Sequence, residues 1–238
     1  MPKQLQLGDL TVDVVLKDIK NVHLSVYPPT GRVRISAPKR MSMENIRAFA
    51  ISKLGWIKQQ RGKLSQQERE THREYIDGES HYVWGKRYLL KVAEAEEAPS
   101  VELTHKHLLI KVRPGATEKK KREIVESWYR EEIRKAAPTL ITKWEPVLGV
   151  TVQNLFVQKM KTKWGGCNSK TRNVRLNTDL AKKPLDCLKY VLFHEMVHIL
   201  EPTHNARFVG LMDRFMPNWQ FYRDELNTLP VSHEHWSY

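Results

Sequence analysis

Cysteine is scarce in this 238-residue chain, with only Cys167 and Cys187 present. Two cysteines build no disulfide framework, so a reducing cytoplasm is the expected compartment. No apolar run reaches the length of a membrane span. The opening residues Met1-Pro2-Lys3-Gln4-Leu5 lack the apolar core of a secretory signal. There is no Walker A loop and no G-x-G-x-x-G stretch, so any phosphate binding would rest on side chains. Acidic residues are the minority: 27 Asp and Glu stand against 40 Lys and Arg, a net charge of +13. That surplus favours a polyanionic partner such as nucleic acid, a nucleotide or an anionic surface, although basic proteins without one are also common.

What is present is concentrated in eleven residues, from His194 to His204. His194-Glu195-Met196-Val197-His198 is an H-E-x-x-H pattern. On a helix, positions i and i+4 share a face, so His194 and His198 can offer imidazole nitrogens to one cation. Glu195 lies about 100° round the helix from His194, too far for a first ligand but placed to meet a metal-bound water. Pro202 cannot continue the helix, and the turn it forces lets His204 approach the same ion. Three neutral imidazoles leave zinc an open fourth position, which is the catalytic arrangement. The flanks, Lys189 to Phe193 and Met196 to Leu200, are strongly apolar and predict a buried helix, where unpartnered polar groups are costly.

Along the chain, alternating apolar residues predict strands at Leu10 to Leu16, Val22 to Val26 and Val33-Ile35, with a turn at Pro28-Pro29-Thr30-Gly31. Ser42 is a candidate N-cap for one helix running from Met43 towards Leu64, followed by a loose connection from Ser65 to Tyr75. Further strands are expected at Tyr82 to Val92 around Gly85, and at Val101-Leu103 and His107 to Val112 as a hairpin. Pro114-Gly115 marks a change of character. A helix is expected from Thr117 to about Trp144, divided or kinked at Pro138. Val150 to Val157 reads as a strand, and two short strands are expected to flank Lys163 to Ser169, the second at Asn173 to Leu176. Helices follow at Leu185 to Leu200, Asn205 to Phe215 and Asn218 to Leu226. No repeated segment is evident. The expected class is α+β, a β-rich region over residues 1–114 and a largely helical domain over residues 115–238.

Several motifs resemble the YgjP-like metal-dependent hydrolase family, also called DUF45 and often labelled M48-type metallopeptidases. They are Met160-Lys161-Thr162-Lys163-Trp164-Gly165-Gly166-Cys167, Arg175-Leu176-Asn177, Tyr190-Val191, the H-E-x-x-H helix, Asn205, Phe208 and Pro217. The N-terminal strands and the Gly55-Trp56-Ile57 helix extend the likeness over nearly the whole chain. Gly166 stands where the family typically has serine, and Thr203 where it has asparagine. The resemblance implies a zincin-like second half holding one zinc ion on His194, His198 and His204, with Glu195 as general base. The spacing to His204 also matches metzincins and Wss1-like crosslink proteases, which carry a glycine where this chain has Glu201.

Other residues compete for these roles. Asp213, Glu225 or Cys167 could replace His204 as third ligand, whereas His233 and His235 lie in a terminal tail suited to adventitious binding. Lys163, Trp164, Arg175 and Asn177 are candidate substrate contacts, and Lys161 a further cation. Asn177 and Asn205 are candidates to orient the imidazoles. The segment Arg172 to Leu180 is a candidate edge strand for an extended peptide. Three functions follow: a zinc peptidase acting on peptide or protein, a hydrolase of nucleoside triphosphates (some relatives are described as UTP pyrophosphatases), or a DNA-associated protein. One metal-bound water serves carbon or phosphorus alike, so the ligand set does not separate the first two.

Overall fold

The structure, a computed structural model, describes residues 3–27, 30–66, 72–161 and 163–230. The chain divides into two compact units, Met1–Arg69 and Glu70–Ser232. The division precedes the 114/115 boundary read from the sequence. Pro114-Gly115 separates a strand from a helix that share one core, so element type changes there but packing does not.

The first unit is a four-stranded sheet backed by two helices. Its strands are β1 (Lys3–Leu7), β2 (Leu10–Lys17), β3 (His23–Tyr27) and β4 (Arg32–Pro38), in the order β1-β2-β4-β3. The outer pairs are antiparallel and the central β2–β4 pair is parallel. Alternation in β4 sends Val33, Ile35 and Ala37 into the core, where they meet Ile46, Ala50 and Ile57. Those last three belong to α1 (Met43–Ser52) and α2 (Leu54–Gln66). Ser42 caps α1 by accepting from Asn45 N–H, as expected. The single helix expected over Met43 to Leu64 is broken at Lys53, whose N–H turns to Ala50 O at 3.2 Å and closes the first helix with a tight turn. Pro28 and Pro29 of the expected turn lie outside the described residues.

The second unit begins with the same plan. β5 (Ser80–Val83), β6 (Lys86–Glu94), β7 (Ser100–Leu103) and β8 (His107–Val112) form a sheet ordered β5-β6-β8-β7, again with a parallel central pair between antiparallel outer ones. Buried Leu108, Ile110 and Val112 in β8 follow Val33, Ile35 and Ala37 of β4 at a constant offset. The same offset carries the N-cap Ser42 to the N-cap Thr117 of α3 (Glu118–Leu148). The chain therefore contains a repeated ββββα module, although no repeat is visible in its residues. The topology is conserved while the identities of the buried residues are not.

α3 runs unbroken through Pro138 and Pro146, against the division expected at Pro138. A proline in a helix interior costs about 3 kcal/mol. Here Val125, Tyr129, Ile133, Ala137, Trp144 and Leu148 bury one face along the whole helix, and that packing outweighs the local loss. Gly149 ends it in the left-handed region at φ 64°, a conformation glycine adopts without strain.

A third sheet carries the site. It comprises β9 (Asn154–Gln158), β10 (Gly165–Asn168) and β11 (Asn173–Asn177), ordered β10-β11-β9. β10 lies within the Lys163–Ser169 segment, which the sequence reading placed between two strands. β9 is shorter than the strand expected at Val150 to Val157. A 3-10 turn, Thr178–Lys182, leads into α4 (Leu185–Leu200), and α5 (Ala206–Phe215) and α6 (Trp219–Thr228) complete the unit. α4 packs against α3, α5, α6 and β10. Among the described residues no helix is long and apolar enough to cross a membrane.

Candidate metal centre

α4 is apolar on nearly all sides, which is why it threads the core: Leu188, Leu192, Phe193, Met196 and Val197 are fully buried. Glu195 faces β10, while His194 and His198 face Phe208 of α5. The helix stops where the sequence says it must. Glu201 N–H still bonds to Val197 O, and Pro202 follows. The chain then doubles back, and Asn205 caps α5 by accepting from Phe208 N–H at 3.0 Å. This turn swings His204 over the end of α4.

The three imidazoles converge. His194 Nε2 lies 3.2 Å from His198 Nε2 and 3.0 Å from His204 Nε2. Nitrogens bound tetrahedrally to zinc at about 2.0–2.1 Å stand roughly 3.3 Å apart, so the donor set has the span such an ion requires. Burial, aided by the neighbouring His198 and His204, lowers the His194 pKa to about 3. His198 is lowered as well, chiefly by burial. Both rings are thus neutral near pH 7, the form that binds metal. His198 Nδ1 meets Glu201 O at 3.0 Å, which orients the ring and aims Nε2 at the cluster. His194 Nδ1 is buried without a hydrogen-bond partner.

Phe208 forms the floor. Its ring centroid lies 4.9 Å from that of His194 and 4.7 Å from those of His198 and His204, so one buried aromatic touches all three.

Glu195 is 7% exposed, and burial pushes its carboxyl up to about 7 against the opposing charge of Lys163. Its carboxylate lies flush against β10. A Cβ at Gly165 would stand 2.7 Å from Glu195 Oε1 and 2.9 Å from Val191 Cγ1, so only glycine fits there. Above the histidines and Glu195 opens a cavity of about 410 Å³, walled by β10, α4 and α6.

The model of the YgjP-like metallopeptidase domain matches residues 20–229. The chain belongs to this family. It is accordingly a metal-dependent hydrolase of the metallopeptidase class. No curated protein matches it significantly. Solved structures that match this YgjP-like chain locally include two metallopeptidase zymogens. The zymogen of Pyrococcus abyssi abylysin matches at 17% identity and a TM-score of 0.35, covering 37% of this chain and 90% of its own. The zymogen of Methanocaldococcus jannaschii jannalysin matches at 19% identity and a TM-score of 0.33, covering 37% and 85%.

Within the YgjP-like site, Lys163 and Trp164, two of the candidate substrate contacts, line the cavity. Arg175 and Asn177 do not. Arg175 is exposed on β11, with its guanidinium 5.6 Å from the Phe156 ring centroid. Asn177 is buried, and its amide donates to Met160 O at 2.8 Å and Lys163 O at 2.9 Å, which positions the segment bearing Lys163 and Trp164. Nor does Asn177 or Asn205 make a hydrogen bond to an imidazole; Asn205 is occupied as a helix cap. Asp213 accepts from Trp219 Nε1 at 2.7 Å, Glu225 pairs with Cys187 Sγ, and neither joins the histidine cluster. Cys167 lines the cavity, its thiol pushed up to about 11 by burial and the Glu195 charge, and it too stands apart from the cluster. His233 and His235 lie outside the described residues.

The structure adds residues that spacing did not single out. Arg223, Leu226 and Asn227 on α6 line the cavity. Tyr190 stands edge-on to His194 and stacks on Trp219 at 6.4 Å. These contacts join elements far apart in sequence. The apolar periodicity of α6 was the available signal, and it marks a core face without saying what that face meets.

Proposed function

We propose that this chain is a zinc-dependent peptidase in which His194, His198 and His204 hold the ion and Glu195 is the general base. The observation that carries the reading is the convergence of three imidazoles beside a buried carboxyl, at the base of a cavity edged by β10. Zinc bound there supplies Lewis-acid chemistry, polarising a carbonyl and making a water molecule more acidic. Glu195, with its affinity for a proton near neutrality, takes the proton from the attacking water and returns it to the leaving amine. Val191 and Gly165 confine that carboxyl, so it points into the cavity without paying rotamer entropy at each turnover.

The peptide would lie along β10. The candidate docking strand at Arg172 to Leu180 is corrected here: β11 is the central strand, paired on both sides, and offers no free ladder. β10 has no strand on its other side among the described residues, and it borders Glu195. An extended substrate added to that edge would bring a backbone carbonyl to the histidines.

One observation favours a second substrate class. Lys163 and Arg223 both line the cavity, and two cations could neutralise part of a triphosphate. The deciding experiment compares zinc-loaded wild type with Glu195→Gln on unfolded protein and on nucleoside triphosphates. Proteolysis that falls by about 10²–10⁴ in the variant, with zinc content unchanged, is the expected result. Pyrophosphate release as the only Glu195-dependent activity would overturn the peptidase reading.

A further inference from the structure

The positive charge is unevenly divided. Residues 1–69 hold thirteen Lys and Arg against five Asp and Glu, so the smaller unit carries most of the net +13. The repeated module offers an internal comparison. In the second copy the exposed face of α3 compensates most of its own charge, through Lys120–Glu123, Arg134–Glu131 and Lys135–Glu132 pairs. In the first copy the corresponding helix pair does not. α2 has Lys58, Arg61 and Lys63 and no acidic residue, and α1 adds Arg47 against a single Glu44. Arg47, Lys58 and Arg61 make no ion pair among the described residues. The same element thus carries acidic partners for most of its cations in one module and a single acidic residue in the other.

The unbalanced cations surround a concavity. Arg47, Lys58 and Arg61, against the single acid Asp9, rim a cavity of about 480 Å³ whose wall includes Leu7, Leu10 and Ile51. Arg61 is held in place by its stem, which lies against Gly31. Trp56, on the same helix, is 42% exposed. A second hollow at the far end of β2 is lined by Lys20, Lys39 and Arg40 together with Asp18. Leu10 and Asp18 mark the two ends, roughly 25 Å apart at the rise of a strand.

We propose that the first module is a nucleic-acid-binding surface, with Arg47, Lys58 and Arg61 contacting the phosphate backbone. The inference goes beyond the hydrolytic site and does not depend on it. Cations at both ends of β2 suit an extended polymer with closely spaced charge rather than a single small anion. A membrane surface fits less well, because the apolar stripe of α1 and α2 (Ile46, Ala50, Ile57) is buried in the module's own core instead of being free to enter lipid.

The test is fluorescence anisotropy of labelled oligonucleotides of about 20 nucleotides with the full chain, between about 50 and 200 mM salt. Two triple variants are compared, Arg47→Glu/Lys58→Glu/Arg61→Glu and, on the second copy, Lys119→Glu/Arg122→Glu/Lys143→Glu. Both change the net charge equally, and circular dichroism verifies that both are folded. The first should weaken binding about tenfold or more and lower the salt slope by roughly two to three, while the second stays within about threefold of wild type. Equal losses from both variants would mean diffuse attraction and overturn the proposal. So would no binding at the lowest salt, or tighter binding to polyglutamate or to anionic phosphatidylserine vesicles than to the oligonucleotides.

Discussion

At the scale of single residues, the site depends on a hydrogen atom where any other residue would bring a carbon. Gly165 has no special backbone angle to explain it; the constraint is Glu195, whose Oε1 occupies the space a side chain would need. Gly165→Ala should therefore displace the Glu195 carboxyl while leaving the three imidazoles in place. The expected result is a kcat reduced by about tenfold or more with metal stoichiometry unchanged, because a misplaced base loses orientation rather than chemistry. Loss of the metal together with activity would mean that Gly165 supports the fold of the site instead. The histidines were legible in the sequence because their relation is local: a four-residue helical spacing and a proline that ends the helix. Gly165 and Phe208 were not, since their roles lie in contacts with residues 30 positions ahead and up to 14 positions behind. No spacing rule encodes those contacts, and the Trp-Gly-Gly-Cys stretch was recognised by likeness without its reason.

At the scale of elements, the 3-10 turn before α4 deserves as much weight as the helix itself. Asp179 on that turn is buried, yet Lys182 at 2.8 Å and Lys159 at 3.0 Å outweigh the penalty of burial and hold its carboxyl well below the ordinary range. Its folded pKa is depressed, so its contribution to stability is complete above the unfolded value near 3.9 and is lost as pH falls through the folded value. Thermal melts from pH 7 downward should show an acid limb beginning near pH 4, and that limb should flatten in Asp179→Asn. The variant should also lose about 3 kcal/mol at neutral pH by removing the carboxylate that both ammonium groups share. Superimposable acid limbs would remove Asp179 from the account. Element existence was largely readable, from the strands at β2, β4, β7 and β8 to the helices α3 to α6. What eluded the sequence was pairing. β11 read as an edge because it is short and precedes the helix, and only β9, arriving parallel from earlier in the chain, makes it central. Likewise α3 passes Pro138 because its buried face extends beyond it on both sides, a fact about packing rather than propensity.

At the scale of the whole molecule, two cores sit in two units, and the metal site draws on one of them. The core of the first unit includes Val12, Val33, Ile35 and Ile46, all fully buried. Ile35→Ala should destabilise that unit by about 2–5 kcal/mol through the lost methylenes and the cavity left behind. Zinc affinity and Glu195-dependent turnover should persist under conditions where the variant's first unit has melted, as followed by chelator competition during a thermal ramp. Simultaneous loss of metal and of the first unit would show that the units fold as one.

The repeated ββββα plan also bears on how the chain acquires its structure as it is made. Every strand and helix of the first module pairs within residues 3–66, while α4 does not start until Leu185. At synthesis rates of about 5–20 residues per second, the first module has on the order of ten seconds to settle before the metal-binding helix is complete. The second module, by contrast, closes its core only when α4 arrives to cover α3, so its sheet and long helix must wait with an apolar face uncovered. A basic, already folded leading module is then a solubilising companion for a trailing one that is still incomplete.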